Sequence, residues 1–235
     1  MARVANDKTV LGSVWLREEP ERTRAPLSRE DIVETAIKVL DRDGLEQLSM
    51  RRMAVELGTA ATSALYWRIA NKNDLLELAV DAVIGGALVE ADAGDWRDQL
   101  TALAQAAYGV LADHPWAPQL LASHAGLGPN YQAYTERVLG VLSSAGFKGV
   151  HLDAAVSAVI HYVVGAAVTD AAWTATVRRS ALTERDWPTA AGDQLGVEPD
   201  TLAAYLSRDD LAGPAARFQS GLRAILIGLR PRQLR

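Results

Sequence analysis

From Ser28 almost to Leu229, apolar residues recur every three or four positions, the period of helices that bury one face. Ile32, Val33, Ala36, Ile37, Val39 and Leu40 form the first such face. Ser28 and Asp31 frame its start as a capping box, and Gly44 supplies its end. Met50, Met53, Ala54 and Leu57 form a second, shorter face. Ser49 is placed to cap it, Leu48 and Met53 to staple its entry, and Gly58 to end it in a left-handed turn. Thr62 or Ser63 can cap a third short helix carrying Ala64, Leu65, Tyr66 and Trp67.

Asn71 to Asp74 opens a fourth helix, with Leu75, Leu76, Leu78, Ala79, Val83 and Ile84, and the pattern carries it over 71–91. Further helices are predicted over residues 96–111, 117–124, 131–145, 152–179, 200–206 and 213–229. The His114-Pro115 break ends the first of these, and 126–130 reads as a turn. The helix over 152–179 is apolar nearly all round and must be buried on several sides. Residues 180–200, with Pro188, Gly192, Gly196 and Pro199, read as a break or loop. The fold class is all-α. Residues 1–27 form an N-terminal arm, 28–75 a three-helix unit and 76–235 a helical bundle.

Composition narrows the class without naming it. The chain has 235 residues, 49% hydrophobic and 23% charged, and no cysteine, which excludes disulfides and thiolate metal sites. Its N-terminal stretch has no apolar run of signal-peptide length, and no uninterrupted apolar stretch reaches the ~18 residues of a membrane span. The expected location is the cytoplasm, with no membrane partner. Net charge is −5, and neither end of the chain is basic as a whole. Yet residues 47–73 hold Arg51, Arg52, Arg68 and Lys72 against Glu56 alone. Two short helices parted by a glycine make a helix-turn-helix, and a local cationic patch on an acidic protein is the footprint of a phosphate contact. A hairpin that merely exposes arginines would give the same pattern.

The run LSMRRMAVELG followed by ALYWRIANKNDLLELAVDAV resembles the DNA-binding domain of the tetracycline-repressor family of one-component regulators. Trp96, the His114-Pro115-Trp116 break, the AGF element at 145–147 and the F-x-x-G-L run from Phe218 to Leu222 resemble that family's C-terminal domain. One departure is TAATSA, six residues between Gly58 and Leu65 where the family usually has five.

The resemblance implies an N-terminal helix-turn-helix domain and a C-terminal bundle for ligand binding and dimerisation. It implies a homodimer through helices 152–179 and 213–229, binding a palindromic double-stranded operator. Tyr66 and Lys72 match phosphate contacts, Arg51 matches a position that touches DNA, and Thr62 and Ser63 are candidates for base edges. Arg52 and Arg68 could be backbone contacts or solvated charges. Arg17, Arg22 and Arg24 could form a minor-groove arm, although Glu18, Glu19 and Glu21 oppose it. Trp15-Leu16-Arg17 suggests instead, or as well, an aromatic anchor on the protein's own surface.

A small hydrophobic effector is expected inside the bundle, with Tyr108, Trp116, Tyr131, His161, Tyr162 and Trp173 as candidate contacts and His114 and His124 as further ones. The magnesium–tetracycline seat of the family would need histidines where Leu88 and Leu121 stand. No metal or cofactor is therefore expected. His114, His124, His151 and His161 lack zinc spacing, and no nucleophile elbow or phosphate loop is present. The chain is read as a regulator, with a small helical enzyme or protein-binding scaffold as the alternative.

Overall fold

A computed structural model describes residues 13–16, 28–58, 65–66, 68–90, 94–183, 186–197 and 213–231. Thr62, Ser63, Trp67, Arg17, Arg22, Arg24 and the helix expected over 200–206 lie outside the described residues. All regular structure among the described residues is helical. A 3-10 turn at Val14–Leu16 precedes α1 (Arg29–Asp43), α2 (Met50–Glu56), α3 (Lys72–Ile84), α4 (Trp96–Asp113), α5 (Ala117–Ser123), α6 (Pro129–Ser144), α7 (Val150–Ser180), α8 (Trp187–Leu195) and α9 (Pro214–Gly228).

The predicted helix ends are built as the sequence suggests. Ser28 and Asp31 exchange both bonds of a capping box. Ser49 accepts from the Arg52 amide and Asn71 from the Asp74 amide. Gly58 has a positive φ of 65°, the left-handed turn expected of it.

Three boundaries differ. The fourth predicted helix stops at Ile84, and Gly85–Ala87 tightens into a 3-10 turn. Residues 126–130 are not all turn, because Pro129 begins α6. Within 180–200 there is a nine-residue helix, α8, with proline in its first turn and Gly196 at its left-handed end. Proline at that position loses no hydrogen bond, so it starts α8 rather than breaking it.

α3 joins the two parts of the molecule. It lies against α1 on one side and against α4, α5 and α6 on the other. Every residue from Asp74 to Ile84 except Ala82 is buried. One apolar core consequently runs from Ile32 and Leu40 in α1, through Leu75 and Ala79, to Leu103 and Val138.

α7 packs on α4, α5, α6 and α9. Its buried face is Ala155, Val159, Ile160, Val163 and Ala167, with the half-buried Val156 packed beside them, while Val164 and Val168, turned away from that face, are half-buried. By length and composition alone α7 could cross a bilayer, yet it carries Asp170 and His161 and is a packing helix of this bundle.

Candidate functional site

In the N-terminal unit local packing decides which side chains point outward. Leu65 and Ile69, four apart, are fully buried, so the intervening Tyr66 points away from the core and is 48% exposed. Arg51, in the first turn of α2, is exposed. Arg52 is exposed but held by carboxylates. It contacts Glu56 at 3.0 Å and Asp43 at 3.3 Å, and Arg42 contacts the same two carboxylates at 2.7 and 2.9 Å. Arg42 holds Asp43 and Glu56 below their ordinary range, first by hydrogen bonding. Arg52 thus belongs to a half-exposed ion cluster with Arg42, Asp43 and Glu56. Lys72 is also engaged, its Nζ donating to the Leu45 carbonyl at 2.8 Å and pinning the start of α3 to the α1–α2 turn. Arg68 is half-buried.

The six aromatic and histidine candidates do not converge on one cavity. Phe218 is stacked between Tyr108 at 4.1 Å and Tyr162 at 5.3 Å. The Tyr108 hydroxyl donates to Asp170 at 2.6 Å, and Arg217 reaches the other Asp170 oxygen at 3.2 Å. Burial, then Asp170, pushes the Tyr108 phenol up. His161 and Tyr162 line an open groove of about 430 Å3 between α7 and α9, and the Tyr162 hydroxyl donates to the Phe218 carbonyl. Trp173 meets Trp187 edge-on at 5.1 Å, away from that groove. Trp116 and His114 both reach Asp41 Oδ1 at 2.7 Å, tying the α4–α5 corner to the end of α1.

Tyr131, with the further candidate His124, borders a cleft between α3, α5 and α6, and the polar groups that organise this cleft are carboxylates. Asp74, Glu77 and Asp81 are all buried in α3. Asp81 accepts from the Tyr131 amide at 2.9 Å and from Asn130 Nδ2 at 3.0 Å, with the Asn130 amide at 3.3 Å. It thereby caps α6, whose own N-cap Gly128 offers no side chain. Any Cβ on Gly128 would stand 2.1 Å from the Asp81 carboxylate, so glycine is required there. Burial raises Asp81 above its ordinary value despite these bonds. Glu77 accepts from Ser13 Oγ, from the Val14 amide at 3.2 Å and from Asn73 at 3.2 Å. His124 closes the set by contacting Asn73 at 2.8 Å. The sequence carried a signal for these residues, since acids at 74, 77 and 81 interrupt a helix that is otherwise apolar.

Comparison with known proteins decides the family. Residues 89–232 match the family model described as tetracyclin repressor-like, C-terminal domain. An HTH-type transcriptional regulator of Saccharopolyspora erythraea is 40% identical, over 77% of this chain and 81% of its own length. The chain belongs to the tetracycline-repressor family. Another relative, the HTH-type transcriptional repressor DrrR1 of Streptomyces coeruleorubidus, is 36% identical over 89% of this chain and 80% of that protein.

Two solved members of the family are similar in fold. Streptomyces coelicolor ActR in complex with actinorhodin has a TM-score of 0.67 at 26% identity, covering 87% of this chain and 96% of that one. BioQ with its double-stranded DNA operator has a TM-score of 0.62 at 26% identity, covering 86% and 98%. A tetracycline-repressor family member is a transcriptional regulator, and the enzyme and scaffold readings are not favoured.

Proposed function

We propose that this protein is a homodimeric repressor that leaves a near-palindromic operator when a small hydrophobic effector enters the C-terminal bundle. The observation that carries the reading is α3. One helix is buried in the cores of both the DNA-reading unit and the bundle, so a change around Glu77 and Asp81 must move or strain the Lys72 end. ActR was solved with a small molecule and BioQ with an operator, which are the two occupants this reading requires. The division of labour is an arm over 1–27, a reader over 28–75 and an effector and dimer domain over 76–235, working in the cytoplasm.

At the DNA, Tyr66 and Arg51 are the outward-facing contacts. Lys72 adds charge at the start of α3, where helix N–H groups favour phosphate. Thr62 and Ser63 are assigned base edges, Arg68 the backbone, and Arg17, Arg22 and Arg24 the arm. The half-buried Val164 and Val168 of α7 and the exposed Ile227 of α9 form the dimer face. Closing that face on a twin would set two readers about one DNA turn, roughly 34–36 Å, apart. The groove with His161 and Tyr162 borders this face, leaving the α3–α5–α6 cleft with Tyr131 as the effector entrance.

The test is fluorescence anisotropy with labelled DNA from upstream of the protein's own gene. Binding should weaken steeply with salt, since each phosphate neutralised contributes a slope of about −0.9 in log K against log salt. A salt-independent signal, or none with upstream DNA, would refute the proposal.

A further inference from the structure

The cleft between α3, α5 and α6 already holds a guest, and it comes from the same chain. Ser13 and Val14 are buried, and Trp15 lines the cleft beside Val80, Ile84, Leu121, Leu127 and Tyr131. These residues stand well before α1, yet their hydroxyl and amide converge on one oxygen of Glu77, a buried side chain of α3. The space left beside Trp15 is about 20 Å3, enough for no more than a water molecule. Anything larger enters only when the turn leaves. The expected aromatic anchor on the protein's own surface is therefore seated in the cleft itself.

We propose that Ser13–Trp15 is a built-in occupant of the effector cleft, and that the effector displacing it is a flat aromatic compound carrying a protonated amine. This rests on the effector-responsive reading above and adds its ligand class. The occupant shows what the cleft takes: an aromatic plane against apolar walls, with hydrogen-bond donors directed at Glu77. Once the turn departs, a buried carboxylate loses two donors and must find others.

Charge narrows the replacement. Glu77 and Asp81 line the cleft, and no lysine or arginine lines it among the described residues. Its one basic side chain among them is His124, whose ring nitrogens are engaged by Asn73 and the Leu120 carbonyl. Asp81 is committed to the start of α6, so Glu77 is the exchangeable partner. An ammonium supplies the same donors with an added Coulomb attraction, which neutral Ser13 and Val14 cannot. An anion would meet two carboxylates. The occupant also lowers apparent affinity by the fraction of molecules in which it is seated. Its removal must therefore tighten binding.

The proposal is tested on the full chain, without DNA, by fluorescence titration with two probes: proflavine, a flat aromatic cation, and 8-anilinonaphthalene-1-sulfonate, an aromatic anion. The double variant Ser13→Ala/Trp15→Ala should bind proflavine at least about tenfold tighter than the unaltered chain. Adding Glu77→Gln should reverse that gain, again by about tenfold or more. The anion should gain less than about threefold.

Unchanged proflavine affinity in the double variant overturns the proposal. So does a gain that survives Glu77→Gln, or an equal gain for the anion. Melting curves confirm folding, and Trp15→Ala alone carries the same test if the double variant does not fold. Operator binding by the unaltered chain separates the two readings. Upstream DNA bound without a proflavine gain sinks only this inference; a gain without DNA binding sinks the regulator reading and leaves the seated turn standing.

Discussion

Replacing Asp81 by alanine should destabilise the protein by about 2–3 kcal/mol. The carboxylate is buried and takes three donors from the first turn of α6, at 2.9, 3.0 and 3.3 Å. Since Gly128 has no side chain, nothing else on α6 caps that turn. Loss of a helix cap costs about 0.5–2 kcal/mol, and a further buried donor left unpaired costs about 1–3 kcal/mol. Part of this is offset, because burial already penalises the charged carboxylate. For a chain of this length the net corresponds to a fall in melting temperature of about 5–10 °C.

A second variant sharpens the test. Gly128→Ala alone drives a methyl group into the Asp81 carboxylate, whereas Asp81→Ala removes the carboxylate atoms at 2.1 and 2.2 Å and leaves only the residue 81 Cβ, at 2.7 Å, to be eased aside. The two substitutions should therefore be far from additive. Differential scanning fluorimetry on the single and double variants measures the cycle. A melting shift under about 1 °C for Asp81→Ala, or strict additivity, would refute the cap and with it the rigid join between α3 and α6.

Further outcomes follow from other contacts. Tyr66→Ala and Arg51→Ala should each weaken operator binding by about tenfold or more, while sedimentation and circular dichroism stay unchanged. Lys72→Ala should weaken operator binding and also lower stability by about 1 kcal/mol, read by urea denaturation, because its bond to the Leu45 carbonyl is lost. Asp at Val164 and Val168 together should convert the dimer to a monomer in sedimentation velocity, as charge cannot be buried unpaired between two copies. For Asp81 the folded-state value is raised, so the folded chain holds this proton more tightly than the unfolded one. Its contribution is full below about pH 3.8 and is lost as pH rises through the raised value. The melting-temperature advantage of the unaltered chain over Asp81→Asn should accordingly grow as pH falls from neutrality toward 4.

Helix starts and stops were legible because short-range chemistry sets them. Ser28 with Asp31, Ser49, Asn71 and Gly58 act on neighbours within four residues, and the sequence displays those neighbours directly. α8 escaped because a proline that begins a helix and one that ends a helix look alike until the flanking turn is seen. Lys72 was legible as a cation at a helix start, but its bond to Leu45 joins residues 27 apart and is fixed only by packing. The ligand candidates scattered for the same reason. A tyrosine midway along an apolar helix reveals its period but not which neighbour its tip meets. Tyr108 and Tyr162 meet around Phe218, their hydroxyls on Asp170 and the Phe218 carbonyl, while Trp173 meets Trp187 elsewhere. The acids of α3 could have been found, since three carboxylates among apolar residues of one helix demand partners. The partner of Glu77 could not, because Ser13 lies 64 residues away.

The central claim is that two copies of the reader are offered to one operator. The chain has no cysteine, so Val55→Cys on the exposed face of α2 accepts a single spin label per subunit. Pulsed dipolar spectroscopy should then give an intersubunit distance that becomes one narrow peak when operator is added and moves or broadens when an effector releases it. Absence of any intersubunit coupling, or a distribution indifferent to operator DNA that the protein demonstrably binds, would contradict the claim.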